Sequence, residues 1–93
     1  MIEVGMIVMV ENGDRYGVVK ESFDHGGQKL FHVHYIDPDT GKLIHCPDPR
    51  CQGEHTCPIH GTNCTEDQIG PFTPAEIESF VQDGLIDREL LRH

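Results

Sequence analysis

Tryptophan is absent from these 93 residues, and two tyrosines and four phenylalanines are the only aromatics. So few large rings leave little with which to stack nucleobases. Cations are scarce too: seven Lys and Arg stand against sixteen Asp and Glu, a formal net charge of −9. The deficit runs through the chain, five against eight in residues 1–50 and two against eight in residues 51–93. No Lys or Arg cluster exists to neutralise phosphates, so direct nucleic-acid binding and adhesion to anionic membranes are both disfavoured. Long apolar runs are also lacking. The opening "MIEVGMIVMV" has no basic leader and breaks off after Val10, too early for a secretory signal and too short to span a bilayer. A soluble, cytoplasmic protein is expected. A Gly-rich phosphate loop, a Ser or Cys nucleophile pattern and paired catalytic carboxylates are likewise missing, which points away from an enzyme.

What the chain does have is concentrated in "HCPDPRCQGEHTCPIHGTNC", residues 45–64. This stretch holds all four cysteines, three of the seven histidines and three of the six prolines, with Ile59 its one ordinary core former. A chain of this length buries only about three-fifths of the surface its unfolded form exposes, so a staple is expected. In a secreted domain the cysteines would suggest disulfides. Without an export signal, thiols stay reduced and the spacing favours a metal, Zn²⁺ at one per chain. The candidates are Cys46-x4-Cys51-x5-Cys57-x2-His60-x3-Cys64, five donors where a tetrahedral structural zinc takes four. The fourth place lies between His60 and Cys64. His45 and His55 flank these donors as weaker candidates. The prolines of "PDPR" restrict the loop between Cys46 and Cys51 before any metal arrives. Glu54 and Asp48 are the nearest carboxylates, but a thiolate-rich, proline-stiffened site is of the closed, structural kind. Three-cysteine, one-histidine RNA-binding fingers have another spacing, and no upstream Cys-x-His supports an iron–sulfur cluster.

The flanks read as secondary structure. "GMIVMV" and "RYGVVKESF" are strands about the hairpin pair Asn12-Gly13, with Gly17 marking a bulge or sharp coil. "DHGG" turns the chain into "QKLFHVHYI", which alternates with Phe31, Val33 and Tyr35 on one face and Leu30, His32, His34 and Ile36 on the other. The turn Asp37–Gly41 leads to a fourth strand, "KLIHC". His32 and His34, with His45 across that hairpin, form a possible second metal or catalytic site, against the blander reading of histidines on a strand's wetter face. In "PFTPAEIESFVQDG", Thr73 as N-cap, Pro74 at the first helical position and Glu76 make a capping box, and Gly84 ends the helix. Ile77, Phe80, Val81 and Leu85 form its docking stripe. "LIDRELLRH" continues as a second short helix, Asp87 near its start and Arg92 and His93 at its end. The expected fold is α+β in a single domain over residues 1–93: an antiparallel β-meander curled into a small barrel (5–46), a zinc-binding loop (45–64) and a C-terminal helix or helix pair (73–92).

"VGMIVMVENGDRYGVVKES" followed by "LFHVHYID" resembles the opening strands of the Tudor, KOW and Src-homology-3-like small barrels, over about half the chain. The resemblance implies that fold. In its Tudor-like members it implies an aromatic cage for methylated Lys or Arg, for which Tyr16, Phe31 and Tyr35 are the aromatics in place. Separately, "CPIHG" resembles the Cys-Pro-x-Cys-Gly knuckle of zinc ribbons, with His60 in the second cysteine's place. In that turn two ligands three apart point to one side, and Gly61 supplies the positive φ that closes it. The function expected is a non-enzymatic, zinc-stabilised protein-interaction module with a protein partner. A structural or decoration component of a larger particle, such as a virion, is the alternative, and an acidic mimic of nucleic acid is a third.

Overall fold

The structure is a computed structural model that describes residues 2–10, 15–51 and 59–91. It is α+β: five antiparallel strands, one α-helix and two 3₁₀ turns. The strands are β1 (Ile7–Val10), β2 (Tyr16–His25), β3 (Gln28–Tyr35), β4 (Gly61–Cys64) and β5 (Ile69–Pro71), in the spatial order β4-β3-β2-β1-β5. The first three follow the expected meander. The Asn12-Gly13 turn between β1 and β2 lies outside the described residues. Gly26 and Gly27 make the two-residue turn from β2 to β3, at φ 59° and 80°, a conformation that glycine adopts without a Cβ clash.

Two strand expectations are corrected. "KLIHC" is not a fourth strand: Leu43 makes one isolated bridge to Ile36, and β4 beside β3 is "GTNC", from the end of the Cys/His segment. The edge of β3 is thereby shared. Ile36 faces Leu43, while the stretch from His34 back to Phe31 faces Gly61–Cys64. Gly17 is not a bulge either, since it pairs regularly with Val8 and Tyr35, and the register shift lies between Val19 and Glu21. A Cβ on Gly17 would sit 2.1 Å from the His34 carbonyl oxygen, so the position is glycine because the backbones approach too closely for a side chain.

The barrel is also not closed, since β4 and β5 stand at opposite edges of the sheet. Five flat strands would put those edges about 19 Å apart at ~4.8 Å per step. The four residues between Cys64 and Ile69 span less than about 17 Å even when fully extended, and three of them form a 3₁₀ turn, Glu66–Gln68. The sheet must therefore curl, and the turn bridges its two edges. Cys64 and Ile69, one from each edge, accordingly share a buried cluster with Ile2, Val8, Val19, Phe31 and Val33.

The other face of the sheet is covered by the tail. Helix α1 (Pro74–Gln82) begins as its sequence requires: Thr73 accepts from the Glu76 N–H, the Glu76 carboxylate accepts from the Thr73 N–H, and Pro74 stands at the start. Gly84, at φ 80°, follows its C-cap. Phe80, Val81 and Phe72 pack with Ile7, Val18, Ile36 and Ile86, joined by Leu90 and Leu91 around the second 3₁₀ turn, Arg88–Leu91. The Tyr16 hydroxyl donates to the Leu85 carbonyl, and Asp87 N–H donates to the Gly41 carbonyl, tying the tail to β2 and to the Asp37–Gly41 turn. Burial, and then the nearby Asp37 carboxylate, raise the Tyr16 pKa above its ordinary value.

Gly17→Ala is therefore expected to lower stability by about 1–3 kcal/mol, the usual cost of overpacking. Gly70→Ala, which meets nothing within 4 Å, should stay within about 0.5 kcal/mol of the parent. Urea midpoints of the two variants decide it, and equal loss in both would refute the close-approach argument.

Candidate metal centre

The Cys/His segment is an excursion from the edge of β3, and one residue holds both of its ends. Ile44 N–H donates to the Tyr35 carbonyl at 3.0 Å, and Tyr35 N–H donates to the His60 carbonyl at 2.9 Å. Cys46 and His60, fourteen positions apart in the chain, are thus returned to one patch of sheet. Within the excursion, Asp48-Pro49-Arg50-Cys51 forms a turn with Pro49 second: Cys51 N–H donates to the Asp48 carbonyl, and the Asp48 carboxylate accepts from Arg50 N–H at 2.9 Å. Hydrogen bonds from the Arg50 guanidinium and then its backbone N–H hold the Asp48 carboxyl below its ordinary pKa, and the pair is solvent-exposed. The turn aims Cys51 inward.

Cys46, Cys51 and His60 line one cavity of about 100 Å³, together with His34, His45 and Ile44. Cys51 Sγ lies 3.7 Å from His60 Nδ1. Two ligands on one tetrahedral zinc, with Zn–S near 2.3 Å and Zn–N near 2.0–2.1 Å, are separated by about 3.6 Å. The pair therefore already stands at ligand separation, although among the described residues no three His, Cys, Asp or Glu side chains are grouped closely enough to hold a metal as they are. Cys57, Glu54 and His55 lie outside the described residues.

Cys64 is elsewhere. It is 4% exposed, opposite Phe31 in β4, within the apolar cluster on the other face of the sheet from the cavity. Of the two candidates for the fourth place, His60 lines the cavity and Cys64 stands on the opposite face of the sheet. Gly61 also plays a different part from the one its knuckle implied. It is a strand residue without a positive φ, and a Cβ there would meet the Val33 carbonyl oxygen at 2.6 Å and His32 Cε1 at 2.7 Å. Close packing excludes a side chain, while the backbone conformation is ordinary.

The histidines of β3 meet this site instead of forming one apart from it. His60 is 2% exposed and His32 3%, with ring centroids 5.8 Å apart, and the His34 ring lies 4.9 Å from that of His60 and 6.5 Å from that of His45. His32 Nδ1 pairs with Asn63 Oδ1 across the β3–β4 ladder at 2.9 Å. His34 Nε2 donates to the Ile44 carbonyl at 2.6 Å. A carbonyl only accepts, so His34 carries a proton on Nε2, and in the neutral ring Nδ1 is then the acceptor. His60 Nε2 is buried and has no hydrogen-bond partner among the described residues. The five-donor set does not include His34. The period of two places it on the His32 face, but nothing in the sequence says that the Cys/His excursion returns across that face.

The three aromatics of the expected cage do not converge. Phe31 is in the core, Tyr16 packs edge-on to Phe72 and Phe80 beneath the tail, and Tyr35 lies under the Arg15 guanidinium.

No protein-family model, no curated protein and no solved structure matches this chain.

Burial depresses the His34 pKa from 6.5, partly opposed by its bond to Ile44, with His60, Lys20 and His32 adding repulsion to its charged form. The folded protein thus binds this proton less readily than the unfolded chain. The associated stability is fully present above the unfolded value near 6.5 and is lost as pH falls through the lower folded value. Thermal midpoints of the protein as purified should therefore drop between pH 7 and pH 5 more steeply than those of His34→Gln. Parallel pH profiles would contradict this assignment.

Proposed function

We propose that this chain is a non-enzymatic protein-interaction module in which a structural Zn²⁺, one per chain, staples the 45–64 segment to an open, curled β-sheet. The observation that carries the proposal is the Cys51–His60 pair at zinc-ligand separation, in a cavity that Cys46 also lines. Cys46, Cys51 and His60 are three of the ligands, and Cys57 is the remaining thiol for the fourth place, Cys64 being spent on the core. An energetic reason supports the zinc as well: between residues 45 and 60 the segment has almost no apolar side chains, so metal binding free energy takes the place of hydrophobic burial. Thiolate-rich closed sites are structural, and no catalytic role is assigned to this one.

The interaction surface fits the tail side of the sheet. A groove of about 280 Å³ there is walled by Tyr16, Phe72, Phe80 and Leu85, with Met9, 41% exposed, and Arg15 at its rim. Asp37 and Asp39 flank its wall residue Pro38 in the chain, and the net charge is −9, which suits a partner that combines an apolar anchor with basic flanks. The alternative, a subunit or decoration component of a larger particle, is favoured by the open sheet, whose edges at β4 and β5 are where a neighbour's strand would add.

Purified protein should contain about one zinc per chain by elemental analysis and lose its fold on chelation. Cys51→Ser and His60→Ala should lose the metal. Cys64→Ser should keep it while unfolding earlier by about 1–3 kcal/mol, the cost of a buried hydroxyl without a partner. Metal loss in Cys64→Ser with retention in Cys51→Ser would reverse the ligand assignment. Recovery of a basic partner should fall with salt and with Met9→Asp at unchanged zinc content. If Met9→Asp recovers the partner as well as the parent does, the groove is not the docking surface, and a native mass far above 10.5 kDa would favour the assembly reading.

A further inference from the structure

If zinc is held through His60 Nδ1, the atom that faces Cys51, the imidazole proton must sit on Nε2. That Nε2–H is buried in a ring 2% exposed and meets no hydrogen-bond partner among the described residues. A donor left in that condition is costly, and a metal-ligating histidine nearly always gives its second N–H to a carbonyl, carboxylate or other acceptor. Two rings adjoin it. His32 turns its Nε2 edge onto Gly61, where an ideal Cβ would lie 2.8 Å away, and its ring is the farther of the two. His34 is nearer, lines the same cavity, and has its proton pinned on Nε2 by the Ile44 carbonyl, so its Nδ1 can only accept.

We infer that His34 is the outer-shell partner of the metal-ligating His60. His60 Nε2–H donates to His34 Nδ1, and His34 Nε2–H donates to the Ile44 carbonyl, a short relay that fixes both tautomers and latches the metal loop to β3. The inference rests on the zinc reading above. The relay starts at Ile44, whose own N–H is bonded to Tyr35, and ends at His60, whose carbonyl accepts from Tyr35. It therefore closes, through side chains, the same loop that Tyr35 closes through the backbone. His34 is a positioning residue here and touches no metal. The ring centroids are 4.9 Å apart, within the span that two imidazoles joined by a direct N–H···N bond would occupy.

The test uses the full chain loaded with Zn²⁺. Long-range ¹⁵N–¹H spectra of the wild-type protein should show His60 protonated on Nε2 with Nδ1 metal-bound, and His34 protonated on Nε2. Competition with a chromophoric chelator should show zinc affinity falling 10–100-fold in His34→Phe. His34→Gln, whose amide can accept from His60 and donate to Ile44, should recover most of it. Unchanged affinity in His34→Phe, no rescue by glutamine, or a His60 proton on Nδ1 would each overturn the relay and leave the zinc reading standing. A wild-type protein that takes up no zinc would overturn both. The spectra need no variant, so a misfolded His34→Phe does not shield the inference.

Discussion

The backbone of Tyr35 is the constraint on which the rest depends. At this residue the outer edge of β3 changes partners, accepting from Ile44 as the chain leaves and donating to His60 as it returns. A segment with almost no apolar side chains cannot collapse, and its ends would otherwise be free to separate. Closing it at both ends on one residue of a buried strand lowers the entropy that a metal, or any other clasp, must still overcome. Tyr35 is itself 8% exposed, so those backbone bonds are shielded from water.

That closure also assigns the two faces of the sheet different chemistry. On one face Ile2, Val8, Val19, Phe31, Val33, Cys64 and Ile69 make a dry core. On the other, β3 runs from Ile36, covered by the tail, to His34 and His32, met by the returning loop. A single strand thus carries apolar packing at one end of a face and a nest of imidazoles at the other. Glycines 17 and 61 make the close approaches possible, since each leaves its neighbour's backbone or ring no room for a methyl group.

Electrostatics and packing act on different scales here. The overall charge of −9 sets which partners can approach and at what salt, and exposed ion pairs such as Arg50–Asp48 and Arg88–Glu78 add little to stability. Inside the cavity a few imidazole rings and cysteine side chains decide more, because each buried donor or acceptor there must be matched. Proton placement on His34, whose Nε2 meets the Ile44 carbonyl, is consequently tied to the path of the loop.

Local chemistry was legible in the residues themselves. Thr73, Pro74, Glu76 and Gly84 delimit a helix through bonds made within one or two turns, and Gly26-Gly27 sets a hairpin by its own backbone freedom. The concentration of donors between residues 45 and 64 was equally plain, as was the alternation along β3. Which donors share a cavity was not, because Cys64 and His60 differ only in which face of a curled sheet they reach, and β4, "GTNC", carries no strand pattern of its own. The pairing of β4 with β3, the open edge bridged by a 3₁₀ turn and the arrival of His34 beside His60 are contacts between residues distant in the chain. They follow from burying both faces of one sheet at once, a condition on the whole molecule that no short stretch of it contains.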